Sequence, residues 1–187
     1  KISCIDTEKP QVVYVGVENE KFYKTDVTLS IQASDENIKD VTVIATKDGQ
    51  NYDLSNDQIT WTKEAKTWTG TITLSEEGQY SFSSTASDTA GNTSAAETIA
   101  FTVDKTKPVI SLPGTSEIKV GAYFGNGSIV PIISFQITER NLDSETVPVT
   151  VTDQVDGVTD TTNLTGRLNE NIYTVNAPET GWTEGKH

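Results

Sequence analysis

Val27-Thr28-Leu29-Ser30-Ile31-Gln32-Ala33 decides how this chain folds. Val27, Leu29, Ile31 and Ala33 take every second position, with Thr28, Ser30 and Gln32 between them. Side chains alternate across a strand but return to one helix face only every 3.6 residues, so this spacing gives an apolar face only to extended backbone. The same rule holds for Val41, Val43 and Ala45, for Trp68, Ile72 and Leu74, for Tyr80, Phe82, Ser84 and Ala86, and for Ile99, Phe101 and Val103. Trp68, in phase with Ile72 and Leu74, is expected in the core. Turn chemistry separates the runs: Lys47-Asp48-Gly49-Gln50, Glu76-Glu77-Gly78 and Ala90-Gly91-Asn92, where glycine tolerates positive φ. With Val12 to Val17 as an opening strand, this amounts to about seven strands in roughly 100 residues, the content of an all-β, two-sheet Greek-key sandwich.

The 187 residues suffice for two such units, and the composition narrows what they meet. With 27 acidic against 14 basic residues, the net charge is −13, a field that repels nucleic-acid phosphates and anionic membranes. No apolar run is long enough to cross a bilayer, so neither nucleic acid nor membrane insertion is expected. Cys4 is the single cysteine, which excludes an internal disulfide and a thiolate metal cluster. The sequence contains no methionine, so it is expected to be a processed or excised piece whose targeting and anchoring segments lie elsewhere.

The chain also repeats itself. Asp6-Thr7-Glu8-Lys9-Pro10 returns 98 residues on as Asp104-Lys105-Thr106-Lys107-Pro108. Ser30 to Ile38 matches Ser134 to Leu142, Asp48-Gly49 matches Asp156-Gly157, and Glu77-Gly78-Gln79-Tyr80 matches Glu184-Gly185-Lys186-His187. Residues 1–5 then read as the end of a preceding module, 6–104 as a first module, and 105–187 as a second, incomplete one truncated before its last two strands. That second module, with Ile133, Phe135 and Ile137 and then Val147, Val149 and Val151, is expected to be loosely ordered, completed by a neighbouring molecule, or arranged differently from the first. Pro148 is expected to point outward there, as suits an edge or a position without a ladder hydrogen bond.

The stretches Glu77-Gly78-Gln79-Tyr80-Ser81-Phe82, Ser87-Asp88-Thr89-Ala90-Gly91-Asn92-Thr93 and Val103-Asp104-Lys105-Thr106-Lys107-Pro108 resemble the bacterial Ig-like repeats of surface adhesins and large secreted cell-wall proteins. The resemblance spans nearly the whole first module. The second departs from it, with Glu139 where the first has Asp35. It implies tandem immunoglobulin-like sandwiches in an extracellular bacterial protein, on the cell surface or cell wall or secreted. There they serve as spacers, with neighbouring modules of the same chain as partners and any host or glycan ligand bound through other domains. Related modules also occur inside glycan-degrading enzymes, so the alternative is an accessory carbohydrate-binding module.

Candidate sites follow from that topology. Catalysis by a Ser/His/Asp or Cys/His set is excluded, since the single histidine is His187 at the terminus. The loop after the second strand and the loop before the last lie at the end where the chain enters an immunoglobulin module. This brings Asp35 and Asp88, with Asn92, towards Asp6. Hard oxygen donors at a module junction suit Ca2+, the one cofactor this sequence suggests. The plainer alternative is that Asp6 and Asp88 cap turns and Asp35 starts a loop. Of Trp61, Trp68 and Trp182, Trp61 is the candidate ring for glycan, since its neighbours Thr60, Thr62 and Lys63 are polar, although Ile59 in phase with it hints at burial. Lys24 is the nearest lysine for an isopeptide crosslink, which requires an inward strand position.

Overall fold

The computed structural model describes residues 5–54, 58–113, 132–142, 151–155, 158–164 and 166–176. They form fifteen strands and no helix. The chain divides into two compact units, Lys1–Lys105 and Thr106–His187.

In the first unit β1 (Gln11–Val15), β3 (Val27–Ser34), β7 (Thr67–Leu74) and β6 (Thr60–Lys63) make a four-stranded sheet in the order β1-β3-β7-β6. The facing sheet runs β2-β9-β8-β4-β5, with β2 (Phe22–Tyr23), β4 (Ile38–Lys47), β5 (Gln50–Asn51), β8 (Gly78–Asp88) and β9 (Glu97–Val103). This is the strand order of an immunoglobulin sandwich with one additional short strand at each end of the second sheet. All pairings are antiparallel except that of β2 with β9, which is parallel.

The period-two segments point where their spacing requires. Along β3, Val27, Leu29, Ile31 and Ala33 are buried, and they face Leu74, Ile72, Gly70 and Trp68 of β7 in register. Along β8 the buried phase runs through Tyr80, Phe82, Ser84 and Ala86 and continues to Asp88. Phe101 is the hub of the interior: Tyr23 meets it edge-on at 6.0 Å, while Tyr80 and Phe82 stack on it at 5.8 and 6.2 Å. Each such side chain taken fully from water contributes roughly 1.5–3 kcal/mol, and the ring geometry adds to that. The inward Ser84 hydroxyl of β8 is hydrogen-bonded to the Tyr14 hydroxyl at 2.8 Å, so β1 is tied across the interior to the facing sheet.

Several expectations need correction. The opening strand stops at Val15 rather than Val17. Gly16 has φ +93°, and a Cβ there would lie 2.4 Å from the Thr28 carbonyl oxygen, so only glycine lets the chain leave β3 and cross to the other sheet as β2. The short strands β2 and β5 carry no apolar pattern and were invisible to periodicity. β5 follows a two-residue turn in which Asp48 and Gly49 both have positive φ, as a hairpin of that length prefers. Trp68 faces inward opposite Ala33, yet it is half-buried rather than core: it sits at the start of β7, with the Lys63 ammonium 3.9 Å from its ring centroid.

The second unit has a sheet in the order β10-β11-β15-β14, formed by β10 (Val109–Ser111), β11 (Ser134–Thr138), β15 (Ile172–Val175) and β14 (Gly166–Asn169). That order matches β1-β3-β7-β6 of the first unit, so the sequence repeat is also a repeat of sheet wiring. A hairpin of β12 (Val151–Val155) and β13 (Val158–Leu164) flanks Asp156-Gly157 just as β4 and β5 flank Asp48-Gly49. Its core centres on Ile137, Tyr173 and Val175. Cys4, Val147, Pro148, Val149, Trp182, the repeat match at 184–187 and His187 lie outside the described residues.

Candidate metal centre

Three carboxylates converge at the end of the first unit where the chain enters. Asp6 precedes β1, Asp35 follows β3 and Asp88 ends β8; one oxygen from each lies within 4.8 Å of the other two. β1 and β9 descend from this pole while β3 and β8 climb to it, so residues 29 and 53 positions apart in sequence become neighbours.

Each acid is held by its own hydrogen bonds. Asp35 Oδ1 accepts the Asn37 backbone N–H at 2.7 Å, and Asp6 Oδ1 accepts that of Glu8 at 3.2 Å. Asp88 is buried because it stands in phase with Tyr80 and Ala86. Its Oδ1 accepts the Asn92 backbone N–H at 2.8 Å, and its Oδ2 accepts the Asn92 side-chain amide at 2.7 Å. Burial pushes the Asp88 carboxyl upward, but the hydrogen bonds from the Asn92 side chain and from the backbone amides of Asn92, Gly91 and Ala90 prevail and hold it below the usual carboxylate range. Among the described residues, no lysine or arginine forms an ion pair with Asp6, Asp35 or Asp88.

Two asparagines close the pole. The Asn92 amide also donates to the Asp6 carbonyl at 3.2 Å, and the Asn37 amide donates to Asp6 Oδ2 at 3.1 Å. Asn92 therefore presents nitrogen to the cluster and clips the entering chain to the β8–β9 turn, a different role from that of an oxygen ligand. Asn37 was not singled out in the sequence, although Asn141 occupies the matching place in the second copy. There Glu139 Oε1 accepts the Asn141 backbone N–H at 3.1 Å, as Asp35 does for Asn37.

The donor set fits a hard dication. Ca2+ binds oxygen at about 2.3–2.6 Å, so two oxygens on one ion are at most about 5 Å apart. The three carboxylate oxygens, all within 4.8 Å of one another, lie inside that limit.

Trp61 lies elsewhere, on β6 opposite Gly70. Its ring fills the space a Cβ at Gly70 would take, with Cη2 2.8 Å from that position, so it is half-buried on the inward face rather than spread on the surface. Lys24 is exposed and does not occupy an inward strand position.

Residues 16–105 match the family model described as bacterial Ig-like domain. The first unit belongs to that family. The matched range runs from the Gly16 crossover through the Asp88 turn to Lys105, so the bacterial Ig-like domain contains Asp35, Asp88 and Asn92, while Asp6 lies just before it. No curated protein matches the chain. Among solved structures it is similar to an I-band fragment of titin (14% identity, TM-score 0.43, 91% of this chain and 55% of that one). It is also similar to the SrpA adhesin from Streptococcus sanguinis (13%, 0.35, 72% and 90%) and to a tandem of Ig domains from titin (14%, 0.33, 90% and 82%). The chain thus spans about half the length of the titin I-band fragment.

Proposed function

We propose that this chain is a non-catalytic spacer region of a bacterial cell-surface or secreted protein, built of Ig-like modules in series, and that Ca2+ at Asp6, Asp35 and Asp88 stiffens the junction where the chain enters a module. The observation that carries this reading is that the bacterial Ig-like unit grips the chain at both poles. On entering, the chain is held at Asp6 by Asn37 and Asn92. On leaving, it is held at Lys105, whose backbone N–H donates to Glu77 Oε1 at 2.7 Å and whose ammonium binds the Asp26 carboxylate and the Ser75 carbonyl. A module that only folds has no use for fixing both ends of its linkers; one that transmits a direction along an array does.

Two measurements test the proposal. Exchange of residues 6–105 in the full-length gene product for an unrelated Ig sandwich of equal end-to-end length leaves the activity of that product unchanged if the unit is a spacer; abolished activity overturns the reading. For the ion, thermal melts with calcium and with a chelator are compared for the wild type and Asp35→Asn. A calcium-dependent rise in the melting temperature, lost in the variant, is expected, and coincident melts remove calcium from the proposal.

A further inference from the structure

We propose that the bacterial Ig-like unit binds an extended, cationic polypeptide segment, which adds as a strand to the open edge of β4. The proposal goes beyond the spacer reading and does not rest on it, since it concerns what a module meets along its flank rather than what it carries at its ends.

β4 pairs with β8 from Ile38 to Lys47. On its other side β5 covers only Thr46 and Lys47, and one further bond, from the Tyr52 N–H to the Ala45 carbonyl (2.9 Å), extends that cover. There the Tyr52 ring turns in against Tyr80, edge-on at 5.5 Å, and draws the chain off the edge. The Ala45 bond fixes the parity: the odd-numbered residues before it aim their backbone groups away from β8. The Val41 N–H is capped by Asp40 Oδ1 at 3.0 Å. Among the described residues nothing bonds the Val41 carbonyl, the Val43 N–H or the Val43 carbonyl on that side. Acceptor, donor and acceptor in a row at strand spacing are matched by the backbone of another strand, which is why an unpaired edge recruits extended polypeptide.

The side chains around this edge add apolar surface on both faces of the sheet. Val41 and Val43 are half-buried on the inward face, and Ile44 is 60% exposed on the outward one. A groove of about 350 Å³ lies between Val43 and Ile44 on one side and Asn51, Tyr52 and Leu54 on the other. A strand laid along β4 places one side chain beside Val43 and the next beside Ile44, so both faces gain cover. Charge chooses the occupant. Asp40 stands at the head of the open run and Asp53 lines the groove at its far end, within a chain of net charge −13. That field draws in a cationic segment and repels a second copy of this chain, which brings the same negative charge.

The test uses the whole chain and a fluorescein-labelled synthetic peptide of alternating valine and threonine with a lysine at each end, followed by fluorescence anisotropy. Saturable binding that weakens as salt is raised is expected. The same peptide with every backbone amide N-methylated, and one ending in glutamates, are each expected to bind about tenfold more weakly. Val43→Pro removes a donor that takes no part in the β8 ladder and is expected to weaken binding about tenfold. Should Val43→Pro lower the melting temperature, Ile44→Lys at an exposed position takes its place with the same expected loss. Hydrogen exchange locates the peptide: the Val43 amide is expected to slow about tenfold on saturation, with the Leu29 amide unchanged. Absence of binding, equal binding of either control peptide, unaltered affinity in both variants, or protection on another strand in place of β4 overturns the proposal. So does sedimentation of the free chain as a dimer with the Val43 amide already protected, which assigns the edge to a second copy. None of these outcomes bears on the spacer reading, which the module exchange decides.

Discussion

The interior of the first unit and its N-terminal pole are held by different physics. In the interior, Leu29, Ile31, Phe82 and Phe101 are out of water and packed on one another, an arrangement that depends on shape and is indifferent to pH. At the pole, three carboxylates, two asparagine amides and a set of backbone N–H groups are arranged by hydrogen bonds, where charge state matters and apolar area does not. The lesson is that one module separates the part that keeps it folded from the part whose order depends on charge state, so each can be perturbed without the other.

The sharpest way to break that separation is to strike the interior. Phe101→Ala removes the ring that Tyr23, Tyr80 and Phe82 share and is expected to cost about 3–5 kcal/mol in chemical denaturation. A loss under about 1 kcal/mol would deny Phe101 its place at the hub. Next is the seam between the sheets. Gly16→Ala forces a side chain into a backbone conformation it avoids and against the Thr28 carbonyl, for a cost of about 2–3 kcal/mol by the same measurement. Neither loss should change between pH 7 and pH 5.

The pole behaves otherwise. The Asp88 carboxyl is held below its unfolded value, so its contribution to stability is fully present above about pH 4 and is lost as the pH falls through the folded value. Denaturation midpoints followed from pH 6 to pH 2.5 are therefore expected to fall less steeply for Asp88→Asn than for the wild type, and parallel curves would remove Asp88 from the acid response. The smallest effect belongs to the rim of the same pole. Lys66 and Glu36 pair at 66% and 70% side-chain exposure, where solvent screens the attraction, and Lys66→Ala should change stability by less than about 0.5 kcal/mol.

Legibility in the sequence followed the same division. Strand positions and inward residues were readable because a pleated strand exposes alternate side chains, and Val27 to Ala33 or Tyr80 to Ala86 need no partner to declare a face. The junction acids were legible only as a consequence of topology, and Asp88 carried a signal that turn chemistry hid: it continues the buried phase of β8 by two residues. Trp68 misled because phase tells which face a ring takes but not how much of that face is covered, whereas for Trp61 the phase shared with Ile59 pointed inward and the polar neighbours pointed out. β6 is an edge strand and Trp68 begins β7, so coverage is incomplete for both.

Period two, turn residues and the repeated Asp-x-x-Lys-Pro determined by themselves that this chain is all-β, modular and closed around apolar faces, since those are properties of neighbours along the backbone. Which strands pair was decided only in three dimensions. That β2 joins β9 in parallel, that Gly16 is a crossover, and that Asn37 and Asn92 meet Asp6 depend on groups far apart in the chain. Contacts of that kind exist only once the sheets have packed, because nothing local places their partners.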